Sequence, residues 1–217
     1  MKKIIDYSII LSLVFLVSCS RNKENVISED KDLISKDILI DNFDSNVHGW
    51  TEEFTDFHHV QIDSGMYFIK SKDPIGGSRT SVTSLDKSYL IGLPRNYRIS
   101  IKIENFISDV DTAHYGLILV SGSVDYTFSI YNTGKIVVEE YDYNHRGYRV
   151  LLEKSYDILY TKNALMYINV NDTEFTLEFN NKTIGKSIFR ARSWEMMRLY
   201  TSNQSTLWVD FFKITKL

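Results

Sequence analysis

The chain is 217 residues long, with 43% hydrophobic and 13% aromatic side chains, one cysteine, two prolines and a formal net charge of −3. This composition excludes a disordered chain and a disulfide-stapled framework. The weak acidity, with charges of both signs scattered along the sequence, excludes nucleic acid as a partner. Stability has to come from packing, and the length suffices for one large core or two small ones.

Lys2 and Lys3 open the chain, an apolar run follows from Tyr7 to Val17, and Ser18 precedes the only cysteine, Cys19. A basic start, a short apolar stretch and a small residue at its end form the layout of a secretory signal over residues 1–18. The run is shorter than the roughly 20 residues a spanning helix needs. Leu16-Val17-Ser18-Cys19 resembles the bacterial lipobox, which implies cleavage before Cys19 and acylation of its thiol. More than one acyl chain is required for firm membrane attachment, so Cys19 is expected to be a covalent membrane anchor. An ordinary cleaved signal with an incidental cysteine, or an uncleaved anchor, is the alternative. Loss of Lys2, Lys3 and Asp6 with the signal takes the charge from −3 to −4. Ser20 is unlike an inner-membrane retention signal, so the expected location is the envelope of a Gram-negative bacterium, lipid-anchored at the outer membrane. The polar stretch after the cysteine, within 19–37, reads as a flexible tether.

From residue 38 the pattern changes to short runs rich in β-branched and aromatic residues. Tyr97, Ile99, Ile101 and Ile103 alternate with Arg98, Ser100, Lys102 and Glu104, and Phe175, Leu177 and Phe179 alternate with Thr176, Glu178 and Asn180. Period two of this kind predicts half-buried antiparallel strands. Asp63-Ser64-Gly65, Asn132-Thr133-Gly134, Asn171-Asp172-Thr173 and Asn180-Asn181-Lys182 are the turn signals between them. Many strands without a long helix predict an all-β chain of two stacked antiparallel sheets over 38–217. No fixed repeat is present, which argues against a propeller or a β-helix.

The order of these segments carries a resemblance. "DNFDSNVHGW" (41–50) opens the domain, "YRISIKIENF" precedes "YGLILV", and "YTFSIYNTGKIVVEEYD" and "ALMYINVNDTEFTLEFNNKTIGK" form hairpins. "LWVDFFKI" (207–214) closes it. The sequence resembles the concanavalin A-like, laminin G-like jelly rolls of secreted bacterial proteins, which implies a jelly-roll β-sandwich. It departs where Asn181 or Lys182 replaces the usual turn glycine, so an asparagine has to enter the left-handed region. It also departs at Trp194, which replaces the small, glycine-rich segment usual in such domains before the penultimate strand. The resemblance implies an expected structural calcium ion near the meeting of first and last strands, with Asp41, Asp44 and Asp210 as the matching acids. Solvated turn aspartates are the alternative.

Trp50 reads as a plug of the core, with Phe43, Phe106, Leu207, Val209 and Phe211 beside it. The segment 139–150 stands out: Tyr141, Tyr143, His145, Arg146 and Tyr148 crowd one hairpin with Glu139, Glu140 and Asp142. Aromatic platforms beside planar polar groups suit a glycan, with Tyr126 and Tyr131 as neighbours. Cross-strand tyrosines also stabilise a sheet without any ligand. Glu140 and Asp142 share a face, but no third acid follows at the spacing of a glycosidase strand. The adjacent His58 and His59 point to opposite faces and do not chelate together. The loop 75–79 lacks the spacing of a phosphate loop. Asp111-Thr112-Ala113 matches a short O-glycosylation pattern of exported proteins at Thr112. The leading expectation is a non-catalytic envelope lipoprotein that binds a glycan. The alternatives are a module docking an envelope protein and, third, a sugar-processing enzyme.

Overall fold

The structure, a computed structural model, describes residues 37–72, 79–81, 85, 87–156, 162–202 and 204–217. All of them fall within one compact unit, Ser35–Leu217. The expected signal, Cys19, most of the tether and loop positions 75–78 lie outside the described residues.

Fifteen strands are described. The first five are β1 (Asp37–Asp41), β2 (Glu53–Phe54), β3 (His58–Asp63), β4 (Met66–Ser71) and β5 (Arg79–Ser81). The next five are β6 (Asn96–Ser108), β7 (His114–Ser121), β8 (Val124–Tyr131), β9 (Lys135–Asp142) and β10 (Gly147–Ser155). The last are β11 (Lys162–Asn171), β12 (Glu174–Phe179), β13 (Lys182–Ile188), β14 (Met196–Ser202) and β15 (Ser205–Lys216). One nine-stranded sheet runs β13, β12, β11, β6, β15, β4, β3, β2, with β1 added on β15. A six-stranded sheet runs β10, β9, β8, β7, β14, β5. Every pairing in both is antiparallel. The fold is the expected all-β, two-sheet jelly-roll sandwich.

The alternation in the sequence sorts the side chains as the pleat requires. Tyr97, Ile99, Ile101 and Ile103 of β6 face inward, as do Phe175, Leu177 and Phe179 of β12. From the six-stranded sheet, Leu117 and Leu119, Tyr126, Phe128 and Ile130, and Ile136 and Val138 meet them. The hairpins follow their turn chemistry. Ser64 (φ 53°) and Gly65 (φ 73°) join β3 to β4, and Asn180 (φ 46°) and Asn181 (φ 63°) join β12 to β13. Both are two-residue loops with both central residues left-handed, the twist-matched hairpin turn. Asparagine replaces glycine there, as expected, and the Asn180 side chain anchors the turn by accepting from the Leu165 N–H at 2.7 Å.

One core assignment is corrected. Phe211 does not join Leu207 and Val209 in the core. β15 carries register shifts between Trp208 and Val209 and between Val209 and Phe211, and Phe212 is the residue turned inward. A bulge adds a residue without a partner and exchanges the two faces beyond it. Plain alternation therefore fails at that position.

The opening motif is organised by Asp41. Its buried carboxylate accepts the Trp50 indole N–H at 2.6 Å and the Phe43 backbone N–H at 2.8 Å. Phe43 sits at φ 55°, stacked on Tyr67, and Trp50 meets Phe43, Tyr67 and Phe212 edge-on or tilted. At the other unusual sequence position, Trp194 is buried, donates to the Tyr97 hydroxyl and packs on Tyr126 and Phe189.

Two stability predictions follow from these contacts. In Asp41→Asn, either amide orientation turns an NH2 group toward one of the two N–H donors. We expect a loss of about 2 kcal/mol in chemical denaturation, the cost of one buried donor left unmatched. A Cβ at Gly116 would stand 1.7 Å from the Phe128 carbonyl oxygen. Gly116→Ala is expected to cost about 3 kcal/mol by the same measurement, because backbone rather than a side-chain tip has to move.

Candidate functional site

The β9–β10 hairpin brings three of the expected residues together. Tyr148 of β10 lies directly across from Tyr141 of β9, and antiparallel partners share a face. Their ring centroids are 4.5 Å apart, and Tyr143 stands edge-on to Tyr141 at 4.6 Å. Tyr148 is 67% exposed and Tyr143 52% exposed, and Val150, also exposed, follows Tyr148 on the same side of this edge strand. The three rings form an aromatic step on the solvent side of the six-stranded sheet.

The polar groups around the step are fixed by local bonds. The Tyr143 hydroxyl donates to Asp125 Oδ2 at 2.7 Å, and this bond raises the phenol's pKa to about 12, with burial adding to it. The other Asp125 oxygen is buried without a hydrogen-bond partner among the described residues. Asp142 closes the turn: its Oδ1 accepts the backbone N–H groups of Asn144 and His145, and its Oδ2 lies 2.8 Å from His145 Nδ1. The His145 bond is the main reason the Asp142 carboxyl is held below the ordinary aspartate value. Arg146 takes the left-handed place in this turn, at φ 48°, and is exposed.

Glu140 lies on the opposite, inner face, 2% exposed. It is held between Arg149 Nη2 at 3.0 Å and Arg190 Nε at 3.3 Å. Arg190 also reaches Asp142 at 3.7 Å. The two carboxylates that share a face are thus tied to arginines. Arg190, Arg149 and Asp125 were not among the sequence candidates. Arg190 lies far from the hairpin in sequence, and only the sandwich closure brings it there.

Two expected neighbours are corrected. Tyr126 is fully buried: it pairs with Glu140, faces inward among Phe189 and Trp194, and its hydroxyl accepts the Arg190 N–H at 2.7 Å. Burial first, with Glu140 adding to it, pushes its pKa to about 12. Tyr131 lies at the other end of β8, beside the 132–134 turn, stacked on His114 at 4.6 Å. The alternation along β8 places 126 and 131 on opposite faces.

The three calcium candidates do not converge. Asp41 points into the core and spends both oxygens on N–H donors. Asp210 is on the outer side, bonded to Lys102 Nζ at 2.5 Å, and Asp44 is exposed beside the β3–β4 turn. Among the described residues no group of three His, Cys, Asp or Glu side chains is gathered to hold a metal ion. Of the adjacent histidines, His58 bonds Glu53 and His59 bonds Gln61. Thr112 is exposed in the loop between β6 and β7.

No protein-family model and no curated protein sequence matches the chain. Solved structures do. The binding domain of botulinum neurotoxin DC, seen in complex with rat synaptotagmin II, superposes with a TM-score of 0.56 at 16% identity over 84% of this chain and 49% of that one. The GH43 protein BlXynB from Bacillus licheniformis gives 0.56 at 11% identity over 82% and 39%. One of the endo-acting O-glycanases with which prominent members of the human gut microbiota initiate mucin breakdown gives 0.60 at 11% over 83% and 99%. The chain spans about half the length of the toxin binding domain it matches. Such likeness shows the jelly-roll sandwich fold.

The step makes an alkaline titration informative. Tyr143, Tyr126 and Tyr97 are each raised to about 12, Tyr97 by burial. Phenolate absorbance should therefore lag at these tyrosines to near pH 12, and Asp125→Asn should return Tyr143 toward 10. A pKa raised above the unfolded value stabilises the fold below pH 10 and loses that contribution as pH climbs from 10 through 12. Alkaline denaturation should begin in that window.

Proposed function

We propose that the protein is a non-catalytic glycan-binding module, held at the bacterial cell envelope by a lipid on Cys19. The observation that carries this reading is the exposed step of Tyr141, Tyr143 and Tyr148. Its rings offer apolar faces to pyranose C–H groups, and the turn beside it presents Arg146 and His145 to hydroxyls. Tyr143 is held in place by Asp125, so part of the platform is ordered before a ligand arrives.

The chemistry around Glu140 and Asp142 supports a binding rather than a hydrolytic role. A glycosidase needs one carboxyl with a raised pKa to act as acid and a partner about 5–9 Å away across the scissile bond. Glu140 is buried between two arginines, and the pKa of Asp142 is lowered. A lowered pKa at Asp142 is the opposite of what a general acid needs, and both Glu140 oxygens face arginines rather than open space for a substrate. Anchoring is supported by the lipobox-like Leu16-Val17-Ser18-Cys19 and the polar stretch behind it. A protein-docking role is the second reading, favoured by Phe54 and Phe57, 72% and 65% exposed beside the short edge strand β2.

The test is retention of the full-length chain on a panel of immobilised polysaccharides that includes mucin O-glycans. The chain is held in a detergent without a sugar headgroup, with calcium and with chelator. Tyr148→Ala and Tyr141→Ala should each weaken retention about tenfold, the worth of one aromatic contact at about 1.4 kcal/mol. No retention on any polysaccharide would set the tyrosine step aside as a glycan platform and favour the protein-docking reading for that face.

A further inference from the structure

The solvent face of the nine-stranded sheet carries a second constellation, remote in the fold from the tyrosine step. Four rings cross neighbouring strands β2, β3, β4 and β15. Phe54 meets His59 at 4.8 Å, His59 meets Phe68 at 5.2 Å, and Phe68 meets Trp208 at 5.4 Å, each edge-on to the next. Trp208 is the one tryptophan that is not buried. Its indole N–H makes no hydrogen bond among the described residues.

At the Trp208 end of this row lies a recess of about 270 Å³, lined by Met66, Glu104, Asn105, Lys162, Asn163 and Trp208. Asn105 is the register partner of Trp208 on one side and of Lys162 on the other, so β6 forms the floor of the recess. The Asn105 side-chain oxygen is buried and has no hydrogen-bond partner among the described residues. A buried acceptor without a donor is an unfavourable state that a bound hydroxyl or amide N–H relieves.

The charges at the rim narrow the ligand further. Lys162 opposes a bound cation and Glu104 opposes a bound anion, while together they offer a donor and an acceptor. A neutral molecule bearing both hydroxyl donors and acceptors suits them. The indole of Trp208 supplies an apolar wall for its C–H face. The volume is below the 300–1,000 Å³ of drug-sized sites, which suits a single ring.

We infer that this recess is a second site, taking one neutral pyranose ring, with Asn105 accepting a ligand hydroxyl, Glu104 and Lys162 fixing its orientation and Trp208 stacking on it. The site does not depend on the tyrosine step. Together the two would make the chain bivalent, with one site on each sheet.

Trp208 reports on its own site. Trp50 and Trp194 are buried, so acrylamide quenching of tryptophan fluorescence reads mainly Trp208. The probes are methyl glycosides of neutral hexoses and N-acetylhexosamines, added to the full-length chain in the same non-glycosidic detergent. At least one should protect Trp208 saturably, with a dissociation constant on the order of 1 mM for so small a ligand. Asn105→Ala should weaken that protection about tenfold or more, and Glu104→Ala, at a partly exposed position, should weaken it as well. Tyr148→Ala should leave it unchanged. Circular dichroism and the quenching constant without glycoside establish that each variant is folded. Three results would overturn the proposal: no protection by any glycoside, protection that survives both Asn105→Ala and Glu104→Ala, or protection lost in Tyr148→Ala. Failure of polysaccharide retention with protection intact would remove the tyrosine step alone and leave this site standing.

Discussion

A buried carboxylate with two N–H partners sets the first corner of this sandwich. Asp41 is the last residue of β1, and it ties the Trp50 indole and the Phe43 amide to one point inside the core. Holding Phe43 at a positive φ is unfavourable for a bulky residue. The bond to its N–H and its stacking on Tyr67 offset that cost. The aromatic packing then extends through Trp50 to Phe212 of β15, the strand that also pairs with β4 and β6. The acid of the "DNFDSNVHGW" opening thus organises the core of the nine-stranded sheet, and this role is incompatible with exposing its oxygens to a cation.

With the interior so arranged, the two outer faces serve different chemistry. The six-stranded sheet ends in a hairpin whose outward tyrosines are exposed and whose inward acids are bonded to Arg149 and Arg190. A single strand pair therefore separates an aromatic surface from an ionic cluster built on the buried Glu140 by the pleat alone. On the nine-stranded sheet, the bulges of β15 leave Trp208 outward and send Phe211 out beside Tyr167, Arg98 and Lys213 in a second recess of about 350 Å³. Arg98 stacks over the Tyr167 ring there and bonds Asn169.

Much of this was legible in the residues, and the failures have definite physical causes. The alternation of residues 97–103 in β6 and of β12, and the left-handed asparagines of the 180–181 turn, depend only on neighbours in sequence, and they hold. The tyrosines of the 141–148 hairpin are likewise local, and the structure brings three of them together. Tyr126 was misplaced because its face depends on the register of β8 against β9, which a list of nearby tyrosines ignores. Phe211 was misplaced because a bulge is invisible to a period-two count. Arg190 was missed because its partner, Glu140, is fifty positions away in the chain. Trp208 had a usable signal: with Leu207 and Val209 assigned inward, the residue between them has to face solvent. Asn105 carried none, since an unmatched acceptor shows only when every donor around it has been placed.

The pairing of β1 with β15 has a consequence for the order in which the molecule can form. Asp37 lies opposite Thr215 and is bonded to Lys213, so the first strand finds its place only on the last. The same last strand pairs with β4 and β6, and until it is present the nine-stranded sheet is split through its middle. Contacts this distant in sequence put the chain among the slow-folding, high-contact-order topologies. The nine-stranded sheet becomes continuous only once the 12 residues of β15 are in place between β4 and β6.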